Sequence, residues 1–377
     1  MSQGTFISRN VEDKSIVWFK NTNQYVVVEP VVKTILEDFD HKKTIEEIAD
    51  NLSATIEVPT EEAVHFVSDI KKSLFDPNSS SVKEQPNKSI NPDHITFGIT
   101  RFYKVNDTVF KVEFLSEREE FLIQPKFSHI VVDAQNSFDF NYKVFIQDDL
   151  IFLFSDDEFI GSWTRENVHY FQGKFSMLLT QDMHGKSEDE WLGVFHASAV
   201  SNSKKSVLFL GDSGNGKSTS LALLQANGFT CLADDFVPVD VKQKNAYAFP
   251  SGISIKKNSL PVLLPIYPEL ETTAEYHLKL LNKIVRYLVP NNSDYSSNLP
   301  CNELVFIKYE KDASLQFGEI SKIDAFEQLV PDSWLSPIEQ NAKEFLDWFS
   351  QLKCYKLTYS VNSEMIAQVT KLFNDEL

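Results

Sequence analysis

Residues Gly211-Asp212-Ser213-Gly214-Asn215-Gly216-Lys217-Ser218-Thr219 fill the pattern G-x-x-x-x-G-K-[ST], directly after the apolar run Ser206–Leu210 and before Leu221-Ala222-Leu223-Leu224. A strand, a glycine-rich loop and a helix in that order allow few folds. Backbone N–H groups of such a loop curl around phosphate oxygens, Lys217 adds a mobile positive charge, and the Ser218 hydroxyl can ligate Mg²⁺. The helix starting at Lys217 points the positive end of its dipole at the same anion. The pattern predicts an α/β nucleotide-binding unit.

The residues after the loop narrow the chemistry. The helix over 217–226 ends at Asn227-Gly228, and the chain returns through Phe229–Ala233 into Asp234-Asp235. So short a return predicts a parallel strand beside the first, ending at the same sheet edge and setting the two acids beside the phosphates. One carboxylate can hold Mg²⁺ while the other accepts a proton from an attacking hydroxyl. Upstream, Val194-Phe195-His196-Ala197-Ser198-Ala199-Val200 reads as a short strand turning at residues 201–205 into the loop strand, which brings His196 toward the nucleotide.

The run His196–Val200, the loop with its strand, and Leu232-Ala233-Asp234-Asp235 together resemble the HPr kinase/phosphorylase superfamily. The strong part spans about residues 191–240, and weaker similarity continues through Phe249–Lys256 and Lys283–Pro290. The resemblance implies that His196 and the Asp pair belong to a catalytic centre, that Ser218 and one Asp share the metal, and that the reaction is ATP-dependent phosphorylation of a hydroxyl, typically serine. The bacterial regulator's later Gly-rich signature has no counterpart, so the resemblance does not extend to HPr as acceptor.

Charge and composition exclude other classes. The 377 residues carry a formal net charge of −18, a field that repels nucleic acid and anionic lipid unless a basic patch intervenes. The pairs Lys204-Lys205 and Lys256-Lys257 read as solvated turns rather than such a patch. No signal peptide is recognisable, and no apolar run approaches the roughly 20 residues of a membrane span. Cys231, Cys301 and Cys354 are too far apart in sequence for a disulfide framework or a metal motif, and the eight histidines are scattered; both suit a reducing cytoplasm without structural zinc.

Three segments follow from the pattern of breakers. Residues 77–94, rich in Pro, Ser and Asn, read as a linker that separates a small domain, 1–76. In that domain Ile16–Phe19 and Tyr25–Val28 flank a hairpin turn, and Pro30 opens a first helix. Thr44 with Glu47 forms a capping box for a second, and a third follows Pro59-Thr60. This winged-helix-like α+β plan, with Lys43–Ala49 at its centre, resembles PqqD-like domains, the leader-recognition elements of ribosomal peptide-modifying systems, over about residues 5–75. The resemblance implies that a strand edge and the third helix grip an extended leader peptide. Residues 95–190 read as an antiparallel β-rich layer, with strands at Val109–Phe114, Phe121–Ile123, Tyr142–Ile146 and Leu150–Phe154. Residues 191–377 read as the P-loop domain, closing with helices over 337–352 and 363–373.

The expected reaction places ATP and Mg²⁺ on the loop, Lys217 against the β- and γ-phosphates, and Ser218 and Asp234 on the metal. Asp235, aided by His196, then takes the acceptor proton. Which Asp plays which part stays open, as does a homo-oligomer. A peptide or protein Ser/Thr presented by the N-terminal domain is the expected acceptor. The alternatives are a small hydroxylated metabolite such as free serine, or a non-catalytic nucleotide-dependent partner protein.

Overall fold

A computed structural model describes residues 4–80, 90–278 and 283–376. It is a mixed α/β structure with several sheets, divided into two compact units: Met1–Gln85 with Ile320–Leu352, and Pro86–Glu319 with Lys353–Leu377. The centre of the expected linker, 81–89, lies outside the described residues; at its start, Asp76–Ser79 is helical.

In the first unit, strands Phe6–Val11, Lys14–Phe19 and Gln24–Val28 form an antiparallel sheet. Helices Pro30–Asp40, Ile45–Ile56 and Thr60–Ile70 follow as the pattern predicts. The capping box is made, with Glu47 Oε2 accepting from Thr44 N at 2.8 Å and Thr44 Oγ1 accepting from Glu47 N at 3.2 Å. Val17, Phe19 and Val28 on one sheet face pack with Ile35, Leu36, Ile48 and Val67 of these helices. The strand Phe6–Val11 is invisible to pattern reading because Ser8, Arg9 and Asn10 interrupt its apolar residues.

The same unit contains a segment assigned by sequence to the P-loop domain. Helices Lys322–Leu329 and Glu339–Gln351 supply Phe326 and Phe345, whose rings meet Tyr25 edge-on at 6.1 and 5.3 Å. Asn23 Nδ2 donates to Leu335 O at 2.9 Å, and Glu12 accepts from Lys322 N at 2.8 Å. Alternation of strands and helices along 191–377 had suggested one domain; the aromatic faces of 320–352 instead find their partners on the N-terminal sheet.

In the second unit the central sheet runs in the order Thr230–Asp234, Ser198–Ser201, Ser206–Leu210, Asn298–Tyr309, Asn245–Tyr247, Val237–Asp240, Trp191–Phe195. Lys353–Tyr359 joins Asn298–Tyr309 in parallel. The strand Thr230–Asp234 is not the neighbour of Ser206–Leu210: Ser198–Ser201 lies between them, antiparallel to both. A hairpin turn at residues 202–205 delivers that strand to the adjacent slot before the helix can return the chain. Two strands antiparallel to a common neighbour are parallel to each other, so the loop and Asp234 still share one sheet edge.

Residues 95–190 depart further from expectation. A six-stranded sheet, ordered Val131–Val132, Ile99–Val105, Thr108–Phe114, Phe140–Gln147, Leu150–Ser155, Glu158–Thr164, includes a parallel pairing of Thr108–Phe114 with Phe140–Gln147. The 17-residue helix Val168–His184 packs on it, Phe175 meeting Tyr142 at 5.4 Å. Phe175 through Thr180 are all buried, so along that stretch the helix shows no polar face and the 3.6-residue period is lost. Phe121–Ile123 form a turn, not a strand, after the short helix Glu117–Glu120.

Phe345 is fully buried, and Phe345→Ala is expected to lower the unfolding free energy of the first unit by about 3–5 kcal/mol, measured by denaturant titration. Removing residues 1–76 would strip Phe326 and Phe345 of Tyr25, so that truncation is expected to aggregate rather than yield a clean P-loop fragment, as read by size-exclusion chromatography.

Candidate functional site

The loop strand Ser206–Leu210 is buried along its whole length and paired in parallel with Asn298–Tyr309, Leu210 opposite Phe306. Where it ends, Gly211 takes φ 136°, and a Cβ there would stand 2.7 Å from Ile307 O. Only glycine fits so close an approach of two backbones. Gly216, at φ 99°, turns the chain into the helix Lys217–Ala226. The loop is braced from outside by Tyr309 N, which donates to Asn215 O at 2.9 Å, and by Asn215 N, which donates to Asp212 O at 3.1 Å. Lys217 is buried, its Nζ donating to Gly211 O within the loop.

Asp234 is the hub of the site. Its carboxylate is 1 % exposed and accepts from Ser198 Oγ at 2.6 Å, Ser218 Oγ at 3.0 Å and Ser254 N at 2.9 Å. Burial raises its pKa, the neighbouring Asp235 raises it further, and the three donors oppose both. Asp235, the next residue, adopts a left-handed backbone at φ 70°, with its N–H donating to Ala197 O at 2.9 Å. Non-glycine residues seldom hold that conformation, Asp and Asn more readily than most.

His196 lies between strands Trp191–Phe195 and Ser198–Ser201, at a break in what the sequence suggested was one strand. Its Nδ1 stands 3.1 Å from Asp235 Oδ1, with 32 % and 34 % of the two side chains exposed. Burial acts to raise the pKa of Asp235, but Lys126, then His196, Lys283 and Lys217, outweigh it and hold the value near about 2. Asp235 is therefore ionised throughout the physiological range, whereas Asp234 ionises less readily.

His196, Lys217, Ser218, Thr219, Asp235, Ser254 and Lys283 line one cavity of about 130 Å³, together with Asp212, Ser213, Gly214 and Gly216 of the loop. All the predicted loop and acid positions thus converge except Asp234, Gly211 and Asn215, which support the cavity from behind. Thr219 Oγ1 is 2.6 Å from Ser259 Oγ, which fixes the helix against the turn Lys257–Ser259. Lys256, read from sequence as a solvated turn, lies on the strand Ile253–Lys256 and its Nζ donates to Ser213 Oγ at 2.7 Å.

Lys126 is the residue the sequence concealed. It belongs to a four-residue helix, Gln124–Phe127, in the β-rich segment without a motif, and it shares with Asp235, Lys283 and Tyr287 a second cavity of about 40 Å³. Its carbonyl accepts from Gly252 N at 2.8 Å, fixing it beside the strand that carries Ser254. Burial lowers its pKa while Asp235 and Asp234 pull it up. No local signal marks such a residue, because only the packing of two distant segments brings it to the acids.

The donor set suits a hydrated Mg²⁺ bound through phosphate. Ser218 Oγ already directs its proton at Asp234 Oδ1, which leaves a lone pair for a hard cation, and a divalent charge would offset the repulsion between two adjacent carboxylates. Among the described residues no three His, Cys, Asp or Glu converge to hold a metal by themselves. Mg²⁺ commonly keeps waters and phosphate oxygens for its remaining positions. Among the described residues no helix is long and apolar enough to cross a membrane.

No family model matches the chain, and no curated protein matches it. Among solved structures, the HPr(Ser) kinase/phosphatase from Coxiella burnetii is similar over 48 % of this chain and 95 % of its own, at 10 % identity and a TM-score of 0.22. A likeness that slight assigns neither fold nor function.

An acid with a depressed pKa stabilises the fold above its unfolded value, about 3.9, and that contribution is lost as pH falls through the folded value. For Asp235 the window is from about pH 4 down to about 2. Lys126→Met removes the largest charge holding the carboxylate down, so the Asp235 titration followed by carboxyl ¹³C NMR is expected to move upward from about 2. An unmoved titration would remove Lys126 from the site.

Proposed function

We propose that the chain is an ATP-dependent kinase that phosphorylates a Ser or Thr hydroxyl of a peptide or protein, as its sequence resemblance to the HPr kinase superfamily implies. The observation that carries the reading is the pairing of two adjacent acids in unlike environments. Asp234 is buried and held by Ser218 of the loop, while Asp235 is open to the cavity and bonded to His196. A protein that only senses nucleotide has no use for the second acid.

Bound ATP·Mg²⁺ would supply the transferable phosphoryl group and neutralise its developing charge. Lys217 and the loop N–H groups hold the phosphates, and Ser218 with Asp234 holds the metal. Lys256, braced on Ser213, and Lys283 add positive charge along the cavity wall. Asp235 would accept a hydrogen bond from the acceptor hydroxyl and orient it in line; as the acceptor O–P bond forms, the γ-phosphorus to bridging-oxygen bond breaks and ADP leaves, and the hydroxyl proton passes to Asp235, whose carboxylate His196 supports. A carboxylate with a pKa near about 2 is a weak base, but a loose phosphoryl transfer asks more for orientation than for basicity.

The N-terminal unit is the proposed recruiting element. Its strand Gln24–Val28 is an edge of the three-stranded sheet, and extended peptides add to such edges. A ribosomal precursor bound by its leader would suit this arrangement. A second reading is favoured by the small size of the cavity beside Lys126 and by the charged Lys126, Asp235 and Lys283 in its lining, which suit a compact acceptor such as free serine.

Lys217→Ala is expected to abolish ATP binding. Asp235→Asn is expected to keep ATP affinity and lower transfer from γ-labelled ATP by roughly 10²–10⁴. Full transfer by a folded Asp235→Asn protein would sink the assignment.

A further inference from the structure

The two cavities around Asp235 continue into a third. The cavity at the loop and the one beside Lys126 share Asp235, Ser254 and Lys283. The latter shares Phe121, Leu122, Gln172 and Leu278 with a trough of about 510 Å³ whose other walls include Ile146, Ile151 and Val168. The chain of shared linings runs from the acid at the loop to a large apolar surface within the same unit. Phe121 is 38 % exposed, and Gln172 Nε2 donates to Leu122 O at 2.7 Å, which fixes the wall between the two spaces.

We infer that this trough binds the acceptor as an extended peptide and takes a bulky apolar residue next to the phosphorylated Ser or Thr. The inference rests on the kinase reading and chooses between its acceptors. Free serine would fill only the space of about 40 Å³ at Lys126 and leave the trough uncovered. Pockets of several hundred Å³ bury ligands far larger than one small amino acid.

The strand Tyr276–Leu278 commits the occupant to a peptide. It is the outer strand of the sheet ordered Ile253–Lys256, Lys283–Leu288, Tyr276–Leu278, so among the described residues its far edge has no strand partner. Leu278 at its end lines both cavities, and His277 reaches the trough. An open edge offers a row of N–H and C=O groups that an extended backbone can pair with, while alternate side chains enter an adjoining pocket. Glu117, Arg118 and Arg165 around the apolar walls give the rim both signs of charge, as suits a polar peptide backbone rather than a lipid chain.

The test uses the full chain, a fluorescent heptapeptide with one serine flanked by Leu and Phe, the same peptide with Ala in both flanking places, and free serine. Binding is read by anisotropy and transfer by γ-labelled ATP. The expected result is at least roughly tenfold tighter binding and higher kcat/KM for the Leu/Phe peptide than for the Ala peptide, from burial of one large apolar side chain. Phe121→Ser, with its melting curve checked, should erase that preference and leave the KM for ATP unchanged. Ile146→Arg, with its melting curve checked, should do the same by charging the opposite wall.

Equal handling of both peptides and free serine by the wild-type chain would overturn the trough while leaving the kinase standing. Binding of the Leu/Phe peptide that is lost in Phe121→Ser, with no phosphate transferred to any acceptor, would support the trough and overturn the kinase. Absence of peptide binding, or a preference untouched by both substitutions, would also overturn the trough.

Discussion

The buried carboxylate of Asp234 is the constraint on which the site depends. A carboxylate without hydrogen bonds in that position would be very costly, and its three donors come from three separate segments. Ser198 lies on the hairpin strand, Ser218 on the phosphate helix and Ser254 on the small three-stranded sheet. Moving any of these segments by one residue would remove a donor, so satisfying one side chain fixes the relative register of all three. The serine that can ligate metal and the acid behind it are thus held before any nucleotide arrives. In the proposed kinase such preorganisation would make electrostatic stabilisation of the transferred phosphate effective.

The distribution of charge follows a related logic. For a chain of net charge −18 to gather the proposed polyanion, strong local fields would be needed. Lys217, Lys256, Lys283 and Lys126 supply them from four segments, one of them the β-rich part without a motif. Lys126 and Lys283 also offset Asp235, which lets two acids stand side by side with only one paying the full cost of crowding. The two acids are divided by environment: the open acid stays ionised, and the buried one is held by Ser198, Ser218 and the Ser254 N–H.

What the sequence revealed and what it hid divide along physical lines. The loop, its helix and the acid pair were legible because each depends on a local rule: a left-handed glycine, a dipole-aligned helix start, a strand end. The hairpins at Asn21–Asn23 and Gln147–Asp149 and the capping box at Thr44 were legible for the same reason. The insertion of Ser198–Ser201 between the loop strand and Thr230–Asp234 was not, since sheet order is a long-range choice. The helix Val168–His184 was masked because Phe175 through Thr180 are buried without a break, and Phe121–Ile123 showed a strand's composition without having a partner. Lys126 carries no signal at all, because its role exists only through two segments far apart in sequence.

The chain's route also binds the loop to distant sequence. It leaves the P-loop unit after Glu319, builds two helices of the other unit, and returns as Lys353–Tyr359 beside the central strand. Tyr359 at the end of that returning strand is buried, and its Oη lies 2.8 Å from Ser220 Oγ on the phosphate helix. A Cβ at Gly216 would come within 3.2 Å of the same oxygen. The glycine that opens the helix is therefore favoured by its own backbone angle, and a tyrosine that arrives only after the chain has visited the other unit makes a side chain there tighter still. A buried tyrosine from the returning strand thus packs against the first turns of that helix, so the stability of the loop is not a property of the local strand–loop–helix sequence alone.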